Sequence, residues 1–452
     1  MKNLITLVSA ILFSTFFYQQ NIGLNLSLFT LLTIVMLAIK NNQIFKYKST
    51  IFLAIAYLIT GAAVFMYKSN LAILANIIAF MTFIGSVSEH KSSIYVKWIN
   101  GIYTVVVSYF SMRFDKENSE VDKVKKEKID YVYWLKIIGI PSIILIIFIN
   151  LYRNGNPMFD ELISKIDFSF INFQWILFTA LGYYLFYNIS HPIQIEPATY
   201  DDLNIGNNLE KNTLEPITTK ELVNENQLGI ILMASLNALI ILFLITDVLY
   251  LSELHQMVAS QLSEQVHNGV NALIFSNVLA IVIILYFFRG NINFFEKNKG
   301  LKNLTFVWIF LNLTLVIITT IKNIEYINSF GFTYKRIGVL FFLIATSVGL
   351  ITTFIKVTQI KNLWFLFRKN IQIAFVILIL SATINWDKII TDYNINNADQ
   401  MDLKYLINLS DNNTFLLKYY IEKNEINKSS QFNINIKHNN YIEVYRIILG
   451  KK

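Results

Sequence analysis

Residues 94–130 read IYVKWINGIYTVVVSYFSMRFDKENSEVDKVKKEKID, and where this stretch lies relative to a membrane decides how the rest of the chain is threaded. Its first part, 94–110, is apolar enough to cross a bilayer. The second part carries Arg113, Lys116, Lys123, Lys125, Lys126 and Lys128, and a crossing would carry all six cations to the far side. Cytoplasmic loops are the ones that hold excess Lys and Arg. We therefore read 94–110 as lying along the cytoplasmic interface.

Outward from this segment, apolar blocks follow one another at a length near the roughly 20 residues that a spanning helix needs. They fall at 4–18, 22–39, 51–67, 71–87, 133–152, 171–187, 228–249, 270–288, 304–321, 337–355 and 371–386. The fold class this predicts is an all-α, polytopic transmembrane helix bundle of about eleven spans with a small C-terminal extracytoplasmic tail. The first block is short, but only Lys2 precedes it and no small-residue cleavage site follows, so it reads as a retained anchor.

Composition agrees. Of 452 residues, 54% are hydrophobic and 15% charged, against about 25% charged in soluble domains. Mean hydropathy is +0.48. The net charge of +8 could point to nucleic acid, but sorting it by loop gives it another meaning. With 94–110 at the interface, 22 Lys and Arg fall in inside loops and six, Lys68, Arg153, Lys165, Lys322, Lys335 and Arg336, in outside loops. That asymmetry puts the amino terminus inside and the tail outside, and we expect no nucleic-acid partner. The partner it does imply is the lipid bilayer, with anionic lipid as a candidate ligand of the basic segment near 94–130. The plain alternative for that segment is a topology anchor. The chain contains no Cys, which excludes disulfides and thiolate chemistry.

Four regions follow: a first membrane bundle over 1–188 of about six spans, an acidic linker over 189–227 holding Pro192, Pro197 and Pro216, a second bundle over 228–386 of about five spans, and a polar tail over 387–452. The linker is the candidate hinge. In the tail, 401–409 and 414–424 have helical apolar spacing, whereas 432–449 partly alternates as strands do.

The candidate functional residues lie toward the outer face. Asp247, Glu253, His255, Glu264 and His267 form a stretch without Lys or Arg, and Glu264 and His267 are spaced to share a helix face. Carboxylate and imidazole suit zinc, iron or manganese. No second ligand pair accompanies them, so we expect no metal, and the plain reading is an amphipathic helix facing water. Lys335 and Arg336 stand against the charge rule, and such exceptions invite counter-ions. We expect these cations to pair with Asp247, Glu253 or Glu264 across an outer vestibule. No phosphate loop, dinucleotide fingerprint, zinc-protease motif or nucleophile elbow is present in the sequence, so we expect no catalytic residues, no cofactor and a non-enzymatic role, with sensing or regulation as the leading function. The alternative is a transporter or permease with an outer polar gate, and after it a membrane enzyme.

Several stretches carry a family resemblance: SEQVHNGVNALIF at 263–275, GFTYKRIG at 331–338, Asn385-Trp386-Asp387, DLKYL at 402–406 and LSD at 409–411. In order and placement they resemble a bacterial family of polytopic membrane proteins known only as a domain of unknown function. Asn156-Pro157-Met158-Phe159 is similar to an Asp-Pro-x-Phe turn of that family, with Asn in place of Asp. The resemblance implies a bacterial cytoplasmic membrane location and singles out Glu264, Gly269, Gly331, Thr333, Arg336, Asp387 and Asp402. Some members carry Arg where this chain has His267, which argues against a metal ligand there.

Overall fold

A computed structural model describes residues 2–119, 131–164, 172–211, 219–251, 259–398 and 401–423. The structure is 85% helix, without strands among the described residues. The helices are α1 (Lys2–Phe17), α2 (Leu24–Lys40), α3 (Lys48–Tyr67), α4 (Asn70–Ser88), α5 (Ile94–Ser119), α6 (Tyr131–Gly155), α7 (Pro157–Ser164), α8 (Phe173–Ser190), α9 (Glu196–Asn204), α10 (Thr219–Leu251), α11 (Ala259–Phe287), α12 (Lys299–Phe330), α13 (Tyr334–Thr358), α14 (Leu363–Ala382), α15 (Trp386–Asn397), α16 (Leu403–Ile407) and α17 (Thr414–Lys423).

Among the described residues, seven stretches are long and apolar enough to cross a membrane: Lys48–Tyr67, Asn70–Ser88, Thr219–Leu249, Asn268–Phe287, Lys299–Phe330, Tyr334–Thr358 and Leu363–Ala382. Asn3–Phe17, Leu24–Lys40 and Gly139–Gly155 are apolar but shorter. Helix is the form such sequence must take, because in hydrocarbon every backbone N–H and C=O needs a partner within the segment. Starts are set by short polar side chains that accept the first free N–H groups. Ser69 accepts from Ala72 N at 3.1 Å, Asn172 from Trp175 N at 3.0 Å and Asn362 from Phe365 N at 3.0 Å.

Two apolar cores organise the bundle. One joins α10, α11, α12 and α13 around Leu273, Ile284, Trp308, Ile309 and Leu343. The other joins α2, α3, α4 and α8 around Met36, Tyr57, Phe83 and Phe186, and α14 adds Phe375 and Ile379 to it. The last long helix thus packs against helices from the start of the chain. A smaller core of Ile337, Ile390, Leu406, Ile407 and Leu417 seats α15 to α17 against the start of α13.

α5 is placed by its contacts. Near its start Lys97 donates to Ser49 Oγ on the first turn of α3 at 2.9 Å. Fifteen-odd ångströms on, Ser108 donates to the carbonyl of His191, just past the end of α8. Lys40, ending α2, reaches Ser190 at 3.0 Å and Thr6 near the start of α1. These helix ends lie at one level, so α5 runs across one end of the bundle. It crosses α4 at a glycine pair, where a Cβ on Gly85 would lie 1.6 Å from the Lys97 carbonyl oxygen and one on Gly101 1.8 Å from that of Met81.

Candidate functional site

Polar side chains gather at the two ends of the bundle and along the α10–α12 seam. At the end crossed by α5, residues 191–209 of the expected hinge at 189–227 are held along their length; 212–218 lie outside the described residues. Asn188 Nδ2 donates to the Val105 carbonyl at 2.6 Å, Thr104 to that of Ile193 at 2.9 Å, and Asn100 Nδ2 to Thr199 Oγ1 at 3.0 Å. Asp202 of α9 then receives Ser93 N at 2.6 Å, Ser93 Oγ at 2.9 Å, Tyr95 O–H at 2.9 Å and Arg368 Nε at 3.0 Å. Burial alone would push this carboxyl up, but the hydrogen bonds from Ser93, Tyr95 and Arg368 outweigh it and hold it below its ordinary value. Arg368 also donates to the carbonyls of Asp202 at 2.6 Å and Ile205 at 2.9 Å, and to Asn207 Oδ1 at 2.8 Å. Beyond it, Leu209 N meets the Ile360 carbonyl at 3.0 Å and Asn362 N that of Asn207 at 3.1 Å. Neighbouring Lys97 is pushed down to about 8 by burial, against which Glu89 and Asp202 pull upward.

On the α10–α12 seam, Asp247 forms an ion pair with Lys322, both side chains largely shielded from solvent. The next residue, Asn323, donates to the Arg336 carbonyl at 3.2 Å. Arg336 itself turns to the end of α12: it donates to the Phe330 carbonyl at 2.7 Å and to that of Gly331, and its guanidinium stacks 3.8 Å above the Tyr326 ring. Cations at a helix C-terminus satisfy its free carbonyls and its dipole. Lys335 is exposed on the first turn of α13. Glu264 and His267 lie in the first turns of α11, whereas Glu253 and His255 fall outside the described residues. Of the two outer cations expected to face the acidic stretch, Arg336 binds carbonyls, and the partner seen for Asp247 is Lys322.

At the same end, α15 to α17 form a cap whose centre is buried Asp387. Its carboxylate accepts from Tyr334 O–H at 2.7 Å, from Ser410 O–H and from Asn412 Nδ2 at 3.4 Å. Asn412 Nδ2 also donates to the Tyr67 carbonyl at the end of α3, at 2.6 Å. The cap thus reaches α13 and α3, helices that belong to the two different apolar cores. Gly331 turns α12 into α13 with φ +80°, and a Cβ there would lie 2.5 Å from Asn394 Oδ1, which accepts from Phe332 N. Thr333 caps α13 by accepting from Arg336 N at 3.3 Å, Asn385 caps α15 through Lys388 N at 3.0 Å, and Asp402 caps α16 through Tyr405 N at 2.9 Å.

A family model described as a domain of unknown function, DUF4153, matches residues 4–418. The chain belongs to this family. No curated protein and no solved structure matches it. Of the seven DUF4153 positions singled out by resemblance, Gly331, Thr333, Arg336, Asp387 and Asp402 shape turns, cap helices or anchor the cap at the α12–α13 turn and in the cap, whereas no such role is seen for Glu264 and Gly269 among the described residues. Asn156 fits as well: its Oδ1 accepts from Met158 N at 2.9 Å at the start of α7, a task an Asp oxygen performs equally. In this DUF4153 chain, sequence reasoning missed Asp202, Arg368, Asn412 and the role of Lys322. Tyr334 and Ser410 lay inside quoted motifs but were not chosen, since nothing local marks a hydroxyl as the donor to a carboxylate many residues away. Among the described residues no group of three or more His, Asp or Glu could hold a metal ion.

Proposed function

We propose that this is a non-enzymatic, multi-pass component of the bacterial cytoplasmic membrane, amino terminus inside and tail outside, that senses or regulates envelope state through its C-terminal cap. The observation that carries this reading is the Asp387 hub. Through Tyr334 it holds the α12–α13 turn, and through Asn412 it reaches the Tyr67 carbonyl on α3. A cap fastened to helices of both apolar cores moves when those helices move relative to each other, which is the mechanical requirement for a sensor. The 22-to-6 distribution of Lys and Arg supports the orientation.

The chain has no Cys, so a Tyr67→Cys/Asn412→Cys pair reports on the latch alone. Cross-linking in cells should fall or rise with osmotic challenge; a yield that stays constant from low to high osmolarity counts against sensing. Orientation is read separately: Ser119→Cys should resist a membrane-impermeant reagent applied to intact cells, and Asn412→Cys should react.

The buried Asp247–Lys322 pair favours a second reading, a permease with an outer polar gate, because ionisable groups within membrane helices commonly mark solute or proton paths. Uptake into proteoliposomes that is lost in Asp247→Asn would choose it over the first.

A further inference from the structure

A cleft of about 380 Å³ opens at the cap end of the bundle, between the α1–α2 turn and the end of α3. Its lining combines polar Asn25, Gln20 and Lys68 with apolar Phe16, Leu28 and Phe65. Three features converge there. Asn25 is 8% exposed, and its Oδ1 is committed to the start of α2, accepting Gly23 N and Leu26 N at 2.8 Å each. Its Nδ2 is buried and has no partner among the described residues. Lys68 adopts a left-handed backbone, φ 48°, and its stem folds over Gly23, so that a Cβ there would lie 3.1 Å from Lys68 Cε. The third feature is the start of the 17-residue helix α2, whose dipole favours negative charge even though Asn25 Oδ1 already takes Leu26 N.

An ammonium, an unsatisfied amide donor and a helix start together select an anion. The apolar walls then decide what kind. Phe65 is 56% exposed and Leu24 53%, on faces continuous with the apolar flanks of α3 and α2, and the cleft sits where these helices end, the depth at which lipid headgroups lie. We propose that this cleft is a phospholipid site in which Lys68, Asn25 Nδ2 and the start of α2 hold the headgroup phosphodiester while an acyl chain follows Phe65 and Leu28. The site stands independently of any sensing role for the cap.

The test is native mass spectrometry of the full chain in mild detergent, titrated with phosphatidylglycerol, with diacylglycerol of the same chains, and with inorganic phosphate. The wild-type protein should retain one phosphatidylglycerol and no diacylglycerol. Lys68→Gly suits the left-handed backbone, so it removes the ammonium without straining the fold, and apparent affinity should fall about fivefold. Asn25→Asp keeps the Oδ1 cap but replaces the donor with a like charge, and should abolish retention. Equal phosphatidylglycerol retention by wild type and Lys68→Gly, or equal binding of diacylglycerol, would overturn the site. Displacement of the lipid by millimolar phosphate would overturn the lipid assignment in favour of a free anion.

Discussion

Arg368 Nε lies 3.0 Å from Asp202 Oδ1, although 166 residues separate them. The pair closes the linker onto α14 and α5, and Arg368 spends its remaining donors on linker carbonyls and Asn207. Removing one partner leaves the other charge buried without compensation, which commonly costs about 3–5 kcal/mol. Arg368→Ala should therefore lower the thermal midpoint in detergent strongly, and Arg368→Lys should recover only part, since an ammonium cannot reproduce the fork. Because the Asp202 carboxyl is held below its ordinary value, its share of stability is fully present above the ordinary carboxylate range and is lost as pH falls through the lowered pKa.

Gly85 and Gly101 let α4 and α5 approach until backbone meets backbone. An added methyl at either position would overlap a carbonyl oxygen, at 1.6 Å and 1.8 Å. Neither contact can be relieved by rotating a side chain. Gly85→Ala and Gly101→Ala should each destabilise by about 1–3 kcal/mol or more, whereas Gly139→Ala, with nothing within 4 Å among the described residues, should not. Midpoints for the three variants in one detergent check the contrast.

The helices were legible because long apolar blocks leave the backbone no alternative to helix, and the cations flanking 94–110 marked it as different from its neighbours. The long-range pairs were not legible. Asp202 stands in a run with two other acids' worth of charge nearby and reads locally as solvated linker; only the fold brings Ser93, Tyr95 and Arg368 to it. Lys322 counted merely as one outside cation, although it lies one residue before Asn323 on the face that meets Asp247 and the Arg336 carbonyl. Arg336 stood out as an expected exception to the charge rule, but the negative ends it meets are the carbonyls closing α12, which no count of acids reveals. The motif residues of the cap carried a signal of a different kind, short polar residues beside helix starts, and Thr333, Asn385 and Asp402 proved to be caps.

Lys97 is almost wholly buried, and burial pushes its pKa down to about 8. Between pH 8 and the ordinary lysine range the unfolded chain binds more protons than the folded one, so stability rises with pH across that window. The full gain is on the order of 3 kcal/mol from the size of the shift. Lys97→Met should raise the midpoint at pH 7 and flatten the rise between pH 8 and 10. A wild-type midpoint that falls between those values, relative to Lys97→Met, would show that the ammonium is better solvated than its surroundings imply.

Asp387 separates cap stability from bundle stability. It lies in the first turn of α15, where a carboxylate is favoured by the helix dipole, and it satisfies Tyr334, Ser410 and Asn412 together. Asp387→Asn keeps an acceptor and should loosen the cap mildly. Asp387→Leu strands the Tyr334 and Ser410 hydroxyl donors, each costing about 1–3 kcal/mol where it stays buried, leaves Asn412 its bond to the Tyr67 carbonyl, and should free α15 to α17 while the cores of α2 to α4 and α10 to α13, which share no side chain with the hub, stay folded. Limited proteolysis should then cut within 387–423 at rates well above wild type, with the thermal midpoint of the remaining bundle unchanged. Simultaneous loss of cap and bundle would mean that the cap is part of the membrane fold, and a latch that cannot open without unfolding the protein cannot report on the envelope.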